Sequence, residues 1–117
     1  MARIRLGVYV DDDGPKIGRG KIQLLKAIRE EGSISAAARS MGMAYRHAWS
    51  MLDELNRCFD EAVIVSTMGG RRGGGARLTE WGEELIEHFE AMERAANASV
   101  DAHLEALEAR VKSTPRR

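Results

Sequence analysis

Residues 32–49 constrain the fold of this chain more than any other stretch. Ser33 and Ser35 are suited to cap a helix, and three consecutive alanines then allow that helix to pack closely against a neighbour. Gly42 follows at the point where a chain leaves one helix and turns into the next. A second helix, running to about Phe59, completes the outline of a helix-turn-helix. A helical hairpin without a ligand is the alternative that this stretch alone leaves open.

The second helix has an apolar face and a polar start. Its apolar residues recur at helical spacing and are expected to face the core: Ala48, Leu52, Leu55 and Phe59. Its first turns carry hydrogen-bonding and cationic side chains that we predict to bind DNA: Tyr45, Arg46, His47 and Ser50. The free N–H groups of a helix N-terminus also favour phosphate. Trp49 packs either against the scaffold or against DNA, and the sequence leaves both open.

A glycine-rich, cationic segment follows this helix. Residues 62–67 are rich in β-branched side chains and predict a strand, and residues 76–79 predict the strand that returns. The segment between them contains Arg71 and Arg72 among five glycines, so its backbone and charges suit a sugar-phosphate surface. We interpret the hairpin as a wing and add Arg77 of its returning strand to the predicted DNA contacts. A solvated loop is the alternative, but the helix-turn-helix and the basic wing together favour nucleic-acid binding.

The C-terminal part predicts one long helix from Glu80 to Val111, capped by Thr79. At 1.5 Å per residue it would be about 50 Å long, more than a domain of this size covers with itself. We therefore predict that its apolar stripe contacts a second subunit through Leu85, Phe89, Met92, Ala96, Val100, Leu104 and Leu107. The expected organisation is a DNA-binding domain over 1–78, a dimerisation helix over 79–112 and a tail over 113–117.

The N-terminal part predicts a strand and a further helix. Ile4, Leu6, Val8 and Val10 alternate with more polar residues, which is the period of a half-buried strand. An acidic turn ends this strand, and its acids lack the spacing of a calcium loop. Apolar residues from about 18 to 31 then follow helical spacing. The expected fold class is mainly α with a small β component.

Charge is distributed unevenly although the net charge is zero. Residues 1–77 hold thirteen Lys and Arg against nine Asp and Glu, whereas residues 78–117 hold five against nine. This asymmetry suggests that the front part meets an anion. The chain shows no metal-ligand spacing, nucleophile–base pair, signal peptide or membrane segment, and the single cysteine fits a reducing cytoplasm. We expect no cofactor, no enzymatic activity and no membrane contact.

Several of these motifs together resemble one family. Residues 33–49, the Asp-Glu-Leu-Asn of 53–56, the wing over 69–79 and Gly82 resemble the N-terminal DNA-binding domain of ModE-type molybdate-responsive regulators. The helix-turn-helix alone also fits LysR-type regulators. The resemblance implies a winged-helix homodimer on a pseudo-palindromic operator. By position, it assigns DNA recognition to Tyr45, Arg46 and Ser50, a backbone contact to Ser35, and wing contacts to Arg71 and Arg72.

The resemblance also has two departures. Ala44 stands where the family usually has Ser, and the chain ends without room for the molybdate-binding domains of full-length members. We therefore expect a cytoplasmic, dimeric transcriptional regulator linked to molybdenum metabolism that does not itself sense molybdate. Another effector or a protein partner stays open. The alternatives are a protein-interaction adaptor on a winged-helix scaffold and a truncated LysR-like regulator.

Overall fold

The computed structural model describes residues 1–67 and 74–112. Within them the chain forms β1 (Gly7–Val8), β2 (Ile17–Gly18), α1 (Arg19–Glu31), α2 (Ile34–Ser40), α3 (Tyr45–Cys58), β3 (Ile64–Thr67), β4 (Gly75–Leu78), α4 (Glu80–Ser99) and α5 (Asp101–Glu108). Strands β1 and β2 pair in one antiparallel sheet, and β3 and β4 pair in another. This confirms the predicted class, mainly α with a small β component and a winged helix-turn-helix. No helix in these two ranges is long and apolar enough to cross a lipid bilayer.

Local sequence signals explain the helix-turn-helix. Gly32 ends α1 in the left-handed conformation, with a φ of 82°, and its N–H donates to the carbonyl of Ile28. The Ser33 hydroxyl then accepts a hydrogen bond from the N–H of Ala36 at 3.0 Å and caps α2. Gly42 takes a φ of 68° in the turn before α3. The predicted pair of short and long helices is therefore confirmed.

The wing strands are attached to the end of α1. Strand β3 pairs with β4 from Ile64 opposite Leu78 to Thr67 opposite Gly75. The N–H of Ala76 donates to the carbonyl of Gly32 at 2.9 Å, which joins β4 to the α1–α2 connection. A side chain on Gly75 would lie 2.9 Å from that same carbonyl oxygen, so the close approach requires glycine. The strands of the predicted hairpin are confirmed, and its tip, 68–73, lies outside the described residues.

One apolar core joins the helices and the wing. Its fully buried members include Leu24, Leu25 and Ile28 of α1, Leu52 and Leu55 of α3, Val63 before β3, and Ile86 and Phe89 of α4. Helix α4 can approach this core closely because Gly82 has no side chain: a Cβ there would lie 2.3 Å from the Val63 carbonyl oxygen. Phe59 is half-buried at the margin, with its ring edge-on to Trp81 at 5.1 Å.

Burial at the start of α4 corrects the predicted dimer contacts. Leu85 and Phe89 are 6% and 1% exposed and belong to the protomer's own core. They were expected to face a second subunit because they open the same apolar stripe as Met92 and Ala96. The stripe is continuous in sequence, but its first two members are already covered by α1 and the wing.

The predicted single helix over 80–111 is also wrong, because the structure has a break at Val100. This residue has a φ of −117° and a ψ of 19°, which separates α4 from α5. Two side chains before the break bond back to helix carbonyls: Ser99 donates to Ala96 at 2.9 Å, and Asn97 donates to Glu93 at 2.9 Å. Such back-bonding competes with regular helix hydrogen bonds, and the β-branched Val100 comes directly after it. Both features disfavour a continuous helix at this position.

The N-terminal segment forms less strand than its alternation predicts. The extended strand expected over 4–10 is reduced to Gly7–Val8, which pairs with Ile17–Gly18. Before it, the segment runs along α4, where Asn97 accepts from the N–H of Ile4 at 2.7 Å and donates to its carbonyl at 3.1 Å. The N–H of Ala2 donates to the Glu108 carboxylate on α5. Exposed and half-buried residues still alternate, but the partner is largely a helix.

Candidate nucleic-acid interface

Helix α3 has one buried face and one open face. Ala48, Leu52 and Leu55 are fully buried and fix the helix against α1 and α2. The residues that flank this face at the start of the helix are exposed, namely Tyr45, Arg46, His47, Trp49 and Ser50. The open face therefore carries hydroxyl, guanidinium, imidazole and indole groups on a backbone that the core holds in place. Such a face supplies both hydrogen-bond donors and aromatic surface to a groove of DNA.

Tyr45 and Trp49 form a pair on this face. They lie one helical turn apart and are 52% and 43% exposed. The indole Nε1 of Trp49 donates to the Tyr45 hydroxyl oxygen at 2.6 Å. The structure thus places Trp49 on the surface beside a predicted DNA-binding residue and outside the core.

The start of α3 differs from the start of α2. Ala44 is the residue before α3, and no side chain accepts a hydrogen bond from the first turn. Helix α2, in contrast, is capped by the Ser33 hydroxyl. The N–H of His47 donates to the Ala44 carbonyl at 3.0 Å, but the N–H groups of Tyr45 and Arg46 have no acceptor among the described residues and stay open to an outside one. Ala44 in place of the family's usual Ser therefore removes a side-chain cap and puts no larger group at the start of α3.

Ion pairs join cations of the basic front part to acids of the acidic back part. Three cations of α1 pair with three acids of α4: Arg19 with Glu93 at 3.3 Å, Lys26 with Glu90 at 2.6 Å, and Arg29 with Glu83 at 2.7 Å. Lys21 pairs with Glu54 of α3 at 2.9 Å. Three of the thirteen cations of the front part are therefore paired inside the protomer with acids of the back part.

Three other cations of the helix-turn-helix and the wing are different. Arg46 at the start of α3, Arg39 in the last turn of α2 and Arg77 on β4 are exposed, and none forms an ion pair with another residue in 1–67 or 74–112. Their charges remain available to phosphate. Sequence reasoning did not include Arg39 because it lies at the end of the alanine helix. Its position directly before the turn was the signal that could have identified it.

The far end of α3 carries a paired cation. Arg57 donates to the Asp53 carboxylate through Nε at 3.2 Å and through Nη2 at 2.5 Å. This hydrogen bonding, together with the attraction of the carboxylate, raises the pKa of Arg57. Its charge is already matched within the helix, so the unpaired positive charge of α3 is concentrated at the N-terminal end.

The remaining predicted DNA-binding residues have different positions. Ser35 is exposed in the first turn of α2, and Arg77 is exposed on β4 opposite Val65. Arg71 and Arg72 lie outside the described residues. Contact of any of these side chains with DNA stays a prediction. In the part of the chain that the structure describes, no three His, Cys, Asp or Glu side chains are grouped as a metal site would require.

Solved structures share this fold. Full-length LTTR LysG from Corynebacterium glutamicum with bound effector Arg superposes with a TM-score of 0.52 and 21% identity, over 78% of this chain and 29% of LysG. A MepR mutant from a multidrug-resistant S. aureus clinical isolate superposes with a TM-score of 0.52 and 18% identity, over 87% of this chain and 86% of MepR. At these identities the likeness establishes the fold alone.

Sequence comparisons are more specific. Molybdenum-pterin-binding protein MopA of Rhodobacter capsulatus is 42% identical over 81 residues, 69% of this chain and 31% of MopA. Molybdenum transport protein ModE of Azotobacter vinelandii is 35% identical over 107 residues, 92% of this chain and 38% of that protein. The DNA-binding transcriptional dual regulator ModE of Escherichia coli is 35% identical over 81 residues, 69% of this chain and 31% of that protein.

The matched region is the winged helix described above. This chain spans about a third of the length of these curated relatives. A family model for bacterial regulatory helix-turn-helix proteins of the lysR family matches residues 20–83, from the start of α1 into α4. The chain therefore belongs to the bacterial regulatory helix-turn-helix proteins of the lysR family, and its winged helix resembles the corresponding region of ModE.

Proposed function

We propose that this protein is a sequence-specific DNA-binding transcriptional regulator of ModE type that acts in the cytoplasm and has no enzymatic activity. The observation that carries the proposal is the open face of α3, which presents Tyr45, Arg46 and Ser50 from a helix fixed by the core. Arg39 of α2 and Arg77 of β4 form no ion pair with another described residue, whereas three of the four cations of α1 pair with acids of α4. In this proposal α3 enters the major groove and the wing contacts the backbone or the minor groove.

A gel-shift series tests DNA binding. Because each cation on a phosphate releases counterions, the wild-type affinity for duplex DNA should fall steeply with salt. Replacing Arg71 and Arg72 together with Ala should weaken binding to all sequences and reduce the salt slope by roughly one per lost phosphate contact. Arg57→Ala is the matched control, because that guanidinium is already paired with Asp53. Absence of DNA binding by the wild type at low salt would reject the proposal.

We further propose that the protein binds DNA as a homodimer joined by the distal part of α4 and by α5. Apolar side chains in these helices and just after α5 are exposed in the protomer: Met92 by 42%, Leu107 by 63% and Val111 by 71%. Two copies would present two recognition helices to a pseudo-palindromic operator. The organisation into 1–78, 79–112 and 113–117 is part of this proposal, with the first turns of α4 assigned to the core of the winged unit.

A link to molybdenum metabolism rests on the relatives. MopA and the Azotobacter ModE are named for molybdenum-pterin binding and molybdenum transport. We propose that the operators of this protein lie beside genes of molybdate uptake. Duplexes from the regulatory regions of such genes in the source genome should compete for the protein at least ten times better than shuffled duplexes of the same composition. Equal competition would reject the link and leave DNA binding itself intact.

A further inference from the structure

We propose that Trp49 is a positioning residue that makes the Tyr45 hydroxyl a hydrogen-bond donor toward DNA. The proposal rests on the proposed DNA-binding function and deepens it, because it states which chemical groups on DNA Tyr45 can contact. The observation is the hydrogen bond from Trp49 Nε1 to the Tyr45 hydroxyl oxygen, at 2.6 Å on the exposed face of α3.

The chemistry of the two groups fixes the direction of this bond. An indole N–H donates and cannot accept, so the Tyr45 oxygen must be the acceptor. The phenolic proton then points away from Trp49. Tyr45 donates no hydrogen bond to any residue in 1–67 or 74–112, so this proton is available to a ligand. A hydroxyl that accepts one hydrogen bond also becomes a better donor, because the two bonds polarise each other.

The position of the pair directs that proton to the interface. Tyr45 is the first residue of α3, where no side chain caps the helix, and Arg46 beside it has no ion-pair partner in the described part of the chain. Ala48, between the two aromatic residues in sequence, is fully buried and holds this turn against the core. The hydroxyl is therefore presented at the end of the helix that would enter a groove.

The partner on DNA must accept a hydrogen bond. Candidate acceptors are a phosphate oxygen or, on base edges in the major groove, the N7 and O6 of guanine, the N7 of adenine and the O4 of thymine. The amino groups of cytosine and adenine are donors, and they are disfavoured opposite a hydroxyl whose proton already points at them. Trp49 thus contributes to DNA binding through Tyr45, and to sequence discrimination where the acceptor is a base, without contacting DNA through its own N–H.

A double-mutant cycle tests this coupling. The probe is the best duplex that the wild type selects from a pool with a random centre, and the variants are Trp49→Phe, Tyr45→Phe and the double mutant. Each single variant should bind this duplex roughly three- to ten-fold more weakly, which is the effect of one hydrogen bond. The double mutant should bind no more weakly than Tyr45→Phe. Arg57→Gln, which breaks a hydrogen-bonded pair at the other end of α3, is the matched control and should bind like the wild type.

Repeating the selection with the variants separates the two sources of acceptor. If a base is contacted, Trp49→Phe and Tyr45→Phe lose preference at the same position, and donor-bearing bases become tolerated there. If a phosphate is contacted, the selected sequence is unchanged, and a methylphosphonate at one phosphate abolishes the difference between the variants and the wild type. Both outcomes support the role of Trp49. It is overturned if Trp49→Phe binds like the wild type, or if it weakens binding equally with and without the Tyr45 hydroxyl.

A measurement without DNA separates this inference from the proposed function. The chain has two tryptophans, and the buried Nε1 of Trp81 has no hydrogen-bond partner among the described residues, so it serves as an internal reference. In proton–nitrogen spectra of the free protein, Tyr45→Phe should shift the indole N–H resonance of Trp49 and leave that of Trp81 in place. An unchanged Trp49 resonance refutes the pair itself. A shifted resonance in a protein that binds no DNA at low salt confirms the pair but overturns its role in recognition.

Discussion

The two ends of helix α4 carry the same apolar stripe but meet different surroundings. At the proximal end Phe89 is 1% exposed and packs in the core with Leu85 and Ile86. Three residues later along the stripe, Met92 is 42% exposed, and α5 beyond the break has no buried residue at all. Apolar periodicity therefore identifies which face of a helix is covered, but it does not show which part of the molecule or of a partner covers that face.

The polar contacts of the two ends differ in the same way. Near the proximal end, Arg29 and Lys26 of α1 form ion pairs with Glu83 and Glu90 of α4. Toward the distal end, the contacts come chiefly from the N-terminal segment, through Asn97 and Glu108. The proximal end thus belongs to the winged unit, whereas the distal end is attached to its own protomer by a short extended segment. Because of this difference, we propose that the apolar face of the distal end contacts a second subunit.

The largest expected effect separates the two ends directly. Phe89→Ala should lower the free energy of unfolding by about 3–5 kcal/mol, because it leaves a cavity in a close-packed core. Met92→Ala, the next position on the stripe, should lower it by less than about 1 kcal/mol in the monomer, since this side chain is already half in water. Chemical denaturation at protein concentrations that favour the monomer measures both. Similar losses for the two variants would contradict the distinction.

Gly82→Ala should have the second largest effect. The new Cβ would lie 2.3 Å from the Val63 carbonyl oxygen, which is backbone and cannot rotate away. Separating α4 from the wing strands should lower the free energy of unfolding by about 1–3 kcal/mol. Glu84→Ala, on the exposed side of the same helix turn, is the matched control and should change stability by less than about 0.5 kcal/mol. If Glu84→Ala lowers the thermal unfolding midpoint as much as Gly82→Ala does, the close approach at Gly82 is not limiting.

Sequence reasoning was sufficient where local signals and packing agree. The cap at Ser33, the turn at Gly42, and the face formed by Ala48, Leu52 and Leu55 all appear as expected. In each case the signal is local: a hydroxyl at a helix start, a left-handed turn, or apolar spacing within one helix. These local signals are enough to locate the proposed site at the start of α3.

Sequence reasoning failed where a long-range partner decides the outcome. The alternation at the N-terminus predicted a strand, but the backbone of Ile4 is satisfied by the side chain of Asn97, which lies 93 positions away. The charge count suggested a basic front part, yet α4 neutralises three of its cations. The Trp49–Tyr45 hydrogen bond depends on two rotamers, which residue spacing permits but does not determine.

A third prediction addresses what covers the distal end. Replacing Leu104 and Leu107 together with Ser should weaken self-association at least about ten-fold, because each leucine would lose apolar burial on association. The stability of the winged unit should be unchanged, since neither side chain belongs to its core. Sedimentation across a concentration series measures the association constant, and Ala102→Ser, on an exposed position of the same helix, is the control. Unaltered association would assign the contact to another surface.

The smallest effect should come from Asn97→Ala, and it should be confined to the distal end. Loss of the two hydrogen bonds to Ile4 should cost about 1 kcal/mol, because water can reach these half-buried groups and compensate in part. Hydrogen exchange should accelerate at the N–H of Ile4 and in α5, which the same segment holds through Glu108. The amides of α3 should keep their protection, since no hydrogen bond of Asn97 reaches the core. Faster exchange throughout α3 would mean that the N-terminal segment stabilises the winged unit as well, and the two ends of α4 would then form one cooperative structure.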